Sequence, residues 1–196
     1  MPIVMEVYAR NVDIAAFAKK DFPEGDRHVY ELVYGNLYQS QVPPGRHQYA
    51  QSKLFYKMMH HVSVNKLGRV FASPTAVLLT EYSAPQPDLV FLSKEKMSLF
   101  DPEWGIKGAP DIIVEIVSPT SYKRDHLLKK ELYAEHGIPE YWIVDPSYHS
   151  VEVFVLQDGR YERHAFGIDG ETVGSHILSG FELEVSSIFI DSTAAD

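Results

Sequence analysis

The chain of 196 residues has no cysteine. That excludes disulfides, thiolate zinc sites, iron–sulfur clusters and cysteine nucleophiles, so any metal must rest on oxygen or imidazole ligands. Long hydrophobic runs are missing as well: Asp88–Leu92 and Asp111–Val114 are far shorter than the roughly 18 residues of a membrane span. The N-terminal segment, with Glu6 and Arg10, has no signal-peptide pattern. These absences predict a soluble cytoplasmic protein with no membrane partner. P-loop, G-x-G-x-x-G, G-x-S-x-G and H-E-x-x-H motifs are also missing, which removes several large enzyme classes.

Charge of one sign is missing from one long stretch and scarce in another. No acid occurs from Leu32 to Thr80, where Arg46, Lys53, Lys57, Lys66 and Arg69 accompany His47, His60 and His61. From Glu131 to Asp196 the only cations are Arg160 and Arg163, although the whole chain carries −9. Such asymmetry predicts one surface that faces a polyanion and another that keeps the protein soluble, with chance scatter of surface charge as the competing reading. A hydrophobic content of 45% and a charged content of 23% are those of an ordinary globular chain. The length predicts a single domain over residues 1–196, and the order of its elements divides it into a core at about 29–146 and a C-terminal β extension at 147–190.

Pattern and punctuation predict the elements. Asp21–Gly25 reads as a turn by its Pro and Gly, and Val29–Gln39 as a hairpin around Gly35-Asn36. Beyond Pro43-Pro44-Gly45, the apolar residues Ala50, Leu54, Met58 and Val62 recur every four positions, which predicts a helix from His47 to Val62 with a basic face. Arg69–Thr80, Asp88–Leu92 and Asp111–Val117 read as strands. Arg124–His136 reads as a helix closed by Gly137, and Tyr141–Val144 as a strand, together a parallel crossover in a mixed α/β core. Val151–Leu156 and Tyr161–Phe166 flank Gln157-Asp158-Gly159 as a hairpin, Gly180–Ile190 adds a strand, and the terminal Ser-Thr-Ala-Ala-Asp is expected to fray.

Within that frame the chemistry falls to carboxylates. Glu115 interrupts the apolar run Ile112–Val117, and a buried carboxylate needs a cation, supplied by a metal or by an Arg or Lys. Asp88 follows Pro87 at the start of another strand. If the two strands pair antiparallel, Asp88 and Glu115 meet and make half a site for a hard divalent cation, water and a phosphate completing it; a turn or strand cap is the other reading of Asp88. Asp111 shares the strand face of Glu115, but four residues at about 3.3 Å each hold the two roughly 13 Å apart, so Asp111 reads as a strand-start residue. Lys129 lies on a helix stripe with Asp125 and Tyr133. It is either a solvated lysine or a cation delivered to the acid pair. Glu31, between Tyr30 and Leu32, reads as an outward strand residue or a third carboxylate. The adjacent His60 and His61 point about 100° apart on a helix and suit surface or interface roles.

These residues resemble the PD-(D/E)XK nuclease superfamily, and more closely its Uma-two-type family of predicted restriction endonucleases. The resemblance runs from Tyr30 to Phe189. It rests on Tyr30–Val33 with Gly35, on His47, Pro87-Asp88 and residues 110–120, on Asp125, Lys129 and Tyr133, and on Gly137–Pro146. It implies a restriction-endonuclease-like fold, a mixed sheet flanked by helices with an added C-terminal β-hairpin. It further implies Asp88 and Glu115 as metal ligands, Glu31, Asp88, Glu115 and Lys129 as catalytic residues, and Mg²⁺ as cofactor with Mn²⁺ as a substitute. The strand lysine expected two positions after Glu115 is replaced by Val117, and the family's helix lysine corresponds to Lys129; Tyr34 stands where an Asp often precedes the glycine. Arg46, His47, Lys53 and Lys57 would bind the substrate backbone, DNA being the expected nucleic acid. A family habit of pairing, with 12 Tyr and 10 Phe to supply exposed aromatics, implies a homodimer. The rival readings are an inactive nuclease-fold protein that binds nucleic acid or a partner, and an enzyme acting on a small anionic substrate.

Overall fold

The structure, a computed structural model, describes residues 7–22, 24–119 and 121–190. The C-terminal Ser-Thr-Ala-Ala-Asp lies outside them, as do Pro23 and Thr120. The chain opens with β1 (Val7–Ala9) and α1 (Ile14–Ala18), whose cap Asp13 accepts the Ala16 amide at 2.6 Å. β2 (Val29–Val33) and β3 (Asn36–Ser40) form the expected hairpin, but Tyr34 and Gly35 make its turn, one position earlier than the sequence suggested. Their φ values of 48° and 70° are what a two-residue hairpin turn requires.

α2 (Gly45–Val64) buries His47, Ala50, Leu54, Met58 and Val62, the four-residue stripe read from the sequence plus one histidine. β4 (Gly68–Ala72), β5 (Val77–Leu78), β6 (Leu89–Ser93), β7 (Phe100–Asp101), β8 (Gly105–Lys107) and β9 (Ile112–Ile116) follow. The single strand expected over Arg69–Thr80 is thus two. Pro74 cannot donate to a ladder, so β4 joins the main sheet and β5 a small one with β8 and β7. After β9 a π-helical turn (Arg124–Lys129) runs into α3 (Lys130–Glu135), which ends at Gly137 with φ 69°. β10 (Glu140–Asp145) then lies parallel to β9, completing the expected crossover. β11 (Ser150–Gln157) and β12 (Arg160–Ile168) form the next hairpin. β13 (Thr172–Gly174), too short to read from sequence, pairs with β14 (Glu182–Glu184).

The fold is mixed α/β. Its main sheet has the order β12-β11-β10-β9-β6-β4, with β9 and β10 parallel and the other neighbours antiparallel. Alternation along β9 sends Ile112, Val114 and Ile116 toward α2 and the C-terminal β pair, and Ile113 and Val117 toward α3, with Val33 and Tyr38 of the β2–β3 hairpin in that same layer. Glu115 has the parity of the second set. The strand alternation therefore aims its carboxylate into the layer where α3 meets the hairpin. Among the described residues, no helix is long and apolar enough to cross a membrane.

Candidate active site

The β6–β9 register pairs Leu89 with Val114, so Asp88, one residue before β6, stands beside Glu115. Asp88 is anchored there: its Oδ2 accepts the Ile116 amide at 2.7 Å, while its carbonyl accepts the Ser73 amide at 3.0 Å and the Gln51 side chain at 3.1 Å. From the first turn of α2, His47 Nε2 reaches Asp88 Oδ2 at 3.3 Å. The two acids line a cleft of about 290 Å³ together with Glu31, Arg124, Asp125 and Lys129.

Lys129 joins the acids. Its ammonium lies 2.6 Å from Glu31 Oε1, 2.9 Å from Glu115 Oε1 and 3.6 Å from Asp125 Oδ1, and the residue is only 1% exposed. Tyr133, one turn on, donates its hydroxyl to Glu115 Oε1 at 2.6 Å. The reading of Glu31 as an outward strand residue is corrected: it is buried, and besides Lys129 it takes the Gln86 amide at 2.9 Å and the Arg124 guanidinium at 3.2 Å. The solvated reading of Lys129 falls for the same reason. Arg124 also donates to Ser40 Oγ at 2.9 Å, tying the π-helical turn to β3.

Sequence reasoning passed over Arg124, and the cause is helical geometry. Five residues along an α-helix rotate a side chain by roughly 500°, leaving Arg124 and Lys129 about 140° apart. In a π-helix the i→i+5 hydrogen bond aligns them, so both cations point into the site. Tyr133 was visible on the Lys129 stripe but carried no assigned role. Gln86 acts through its backbone, for which the sequence gives no signal.

Burial sets the electrostatics. It pushes the Glu115 carboxyl well above its usual range, and the nearby Asp125, Glu31 and Asp88 charges add to the rise against the pull of Lys129. Burial likewise raises Asp125, although Lys129 and Arg124 oppose it. For Glu31 burial also acts upward, but Lys129 and Arg124 outweigh it and hold the group below its ordinary value. Lys129 is pulled down by burial and raised further by Glu115, Glu31 and Asp125, so it stays an ammonium. Four carboxyl groups, Glu115 and Asp125 among them pushed toward the neutral form, thus face two permanent cations, with His47 beside Asp88.

Other candidate residues lie elsewhere. Asp111 accepts the Ser93 amide at 2.7 Å and pairs with Lys96 at 3.2 Å, a strand-start role. Arg46 and Lys53 are exposed and Lys57 is half-buried on α2, and none of the three lines the cleft. His60 is exposed and stacks on Tyr56, while His61 meets the edge of Phe181. Among the described residues, no three His, Asp or Glu side chains are grouped so as to cage an ion.

The sequence model of the Uma2 family, described as "Putative restriction endonuclease", matches residues 16–186. The chain belongs to the Uma2 family. Among solved structures this Uma2 member is similar to a "putative nuclease" from Anabaena variabilis, at 20% identity and a TM-score of 0.71, over 91% of this chain and 97% of that one. At that identity the likeness establishes the fold. No curated protein matches the chain.

Proposed function

We propose that this Uma2 member is a metal-dependent endonuclease that hydrolyses phosphodiester bonds of nucleic acid, with DNA as substrate and Mg²⁺ as the ion. The observation that carries the reading is the excess of buried acid. Three buried carboxyl groups, Glu31, Glu115 and Asp125, with the half-buried Asp88 beside His47, outnumber the permanent cations Arg124 and Lys129 by two around one cleft. Collecting so many acids costs desolvation, which is what pushes Glu115 and Asp125 toward their neutral forms, and stability alone gives no reason to keep them together. A divalent cation supplies the missing charge.

The donor set fits such an ion. It is made of hard oxygens, and Asp88 and Glu115 would hold it, since the contacts found at Glu115 fall on Oε1 and those at the Asp88 carboxylate on Oδ2, leaving each a second oxygen. Two carboxylates suffice for Mg²⁺, which keeps several waters and takes substrate phosphate oxygens. When bound, it would lower the pKa of a water and stabilise charge on the phosphate. The residues of the chain do the positioning. Tyr133 and Lys129 fix one oxygen of Glu115, Glu31 and Asp125 fix the ammonium, and Arg124 holds Glu31 while presenting positive charge to the cleft.

The test is cleavage of plasmid and linear DNA with and without Mg²⁺ by wild type, Glu115→Gln and Lys129→Met. Magnesium-dependent cleavage lost in both variants is expected. No cleavage by wild type, or equal activity in all three, would favour the inactive nucleic-acid-binding reading.

A further inference from the structure

Outside the cleft the surface carries an aromatic feature that the hydrolytic reading leaves unused. Ser118 and Pro119, which form one wall of the cleft, also line a second groove of about 680 Å³ with Tyr122, Asp145, Ser147 and Tyr148. That groove runs on over the outer face of β11 and β12 to Phe166 and Ile168. Tyr148 is 78% exposed, Phe166 49% and Tyr122 43%, so three rings turn toward solvent along one path leading from the cleft. Tyr122 is stiffened by stacking on His126 at 4.1 Å between centroids. Tyr148 is held by its backbone, because Asp145 Oδ1 accepts the Ser147 amide at 2.7 Å and the Tyr148 amide at 3.3 Å.

We propose that this groove is a stacking shelf for unpaired bases of a nucleic acid whose scissile phosphate lies in the adjoining cleft, so that the preferred substrate has a single-stranded segment beside the cut. The proposal rests on the nuclease reading above and narrows its substrate. Paired bases in a duplex hide their faces in the stack, whereas unpaired bases can lie on Tyr and Phe rings regardless of sequence. The polar lining suits this occupant. Ser147 and Ser150 offer hydroxyls to base edges, Asp145 accepts backbone amides, and Glu152 pairs with Arg163 at 3.4 Å. Lys123 beside Tyr122 is exposed to meet a phosphate.

The test is anisotropy of labelled oligothymidylate and of a blunt duplex of equal length, in EDTA, with wild type, Tyr122→Ala, Tyr148→Ala and Tyr148→Phe. Tighter binding of the single strand is expected, weakened about tenfold or more by each alanine and kept by phenylalanine. The slope of log affinity against log salt should not change, because a ring releases no counterions. Alanine variants that bind the single strand like wild type, or that lose duplex and single strand equally, overturn the shelf. So does a wild-type dimer that Tyr148→Ala dissociates in sedimentation, which would assign the groove to a second copy. The two readings fail separately. Magnesium-dependent cleavage with unaltered binding by the alanine variants sinks the shelf alone, and absent cleavage with the predicted binding loss sinks the hydrolase alone.

Discussion

The ammonium of Lys129 lies closer to Glu31 Oε1, at 2.6 Å, than to any other carboxylate, although the two residues belong to distant parts of the chain. The first hairpin and the crossover helix are therefore joined through one buried cation. Replacing it by Met leaves Glu31, Glu115 and Asp125 buried with Arg124 as their remaining full charge. Breaking a buried pair in this way costs roughly 3–5 kcal/mol. Lys129→Met should lower unfolding stability by about that amount in urea titration in EDTA, in addition to abolishing cleavage. A loss below about 1 kcal/mol would mean that the network is wetter than its burial implies.

Glu115 makes the opposite prediction. Its folded-state pKa is raised, so between the ordinary carboxylate value and the raised one the folded protein binds more protons than the unfolded chain. Stability must therefore fall as pH rises through that window. Gln keeps an oxygen for Lys129 and Tyr133 but cannot ionise. In EDTA, Glu115→Gln should melt at a higher temperature than wild type at about pH 8, with the difference shrinking toward about pH 5. Glu31, held low by Lys129 and Arg124, has the reverse sign: its stabilisation is present above the ordinary carboxylate value and is lost as pH falls toward its folded one. Melts above about pH 5 keep the two effects apart. A difference that does not vary with pH would place the Glu115 carboxylate in water.

The sequence revealed the frame of the site better than its wiring. Ile112–Val117 reads as a buried strand because every side chain but one is apolar, and that exception, Glu115, is legible as an anomaly without knowledge of the fold. Asp88 became its neighbour on the assumption of antiparallel pairing, which the Leu89–Val114 register provides. Two features were hidden. Glu31 looks like any polar strand residue, because its burial depends on α3 and the π-helical turn packing over β2, a tertiary fact. Arg124 looks misaligned because period 3.6 is the natural assumption for a helix and the local period here is longer. For the basic residues of α2, read as substrate contacts, the sequence gives no distance from the site: His47 lines the cleft, and Lys53 and Lys57 do not.

On the opposite face of β10 from this network, a different carboxylate fixes the C-terminal extension. Glu140 is fully buried and accepts from Trp142 Nε1 at 2.6 Å, Ser175 Oγ at 2.7 Å and the His176 and Ile177 amides at 2.8 Å each. Glu140→Ala strands these donors, and hydrogen bonds to a charged group are worth about 1.5–3 kcal/mol each before the segment relaxes. A net loss of roughly 3 kcal/mol is expected. Hydrogen exchange should show the His176 and Ile177 amides opening while those of β9 stay protected. Uniform loss of protection across both would mean that the extension folds as one unit with the core.

Lys53 and Lys57 remain candidates for long-range contact with a polyanion because both project from the acid-free segment of α2. Lys53 stands over the Tyr49 ring at 5.3 Å, outside the cleft. If each lysine neutralises one phosphate of a bound duplex, removing it releases one counterion fewer, and the slope of log affinity against log salt falls by about 0.9 per residue. The Lys53→Ala, Lys57→Ala double variant should therefore bind duplex DNA more weakly at low salt, with a slope shallower by about 1.8, and converge with wild type as salt rises. Its turnover under saturating DNA should be unchanged, since neither side chain lines the site that holds Glu115. An unchanged slope would remove α2 from the footprint and leave attraction of the backbone to Arg124, Lys123 and the cleft itself.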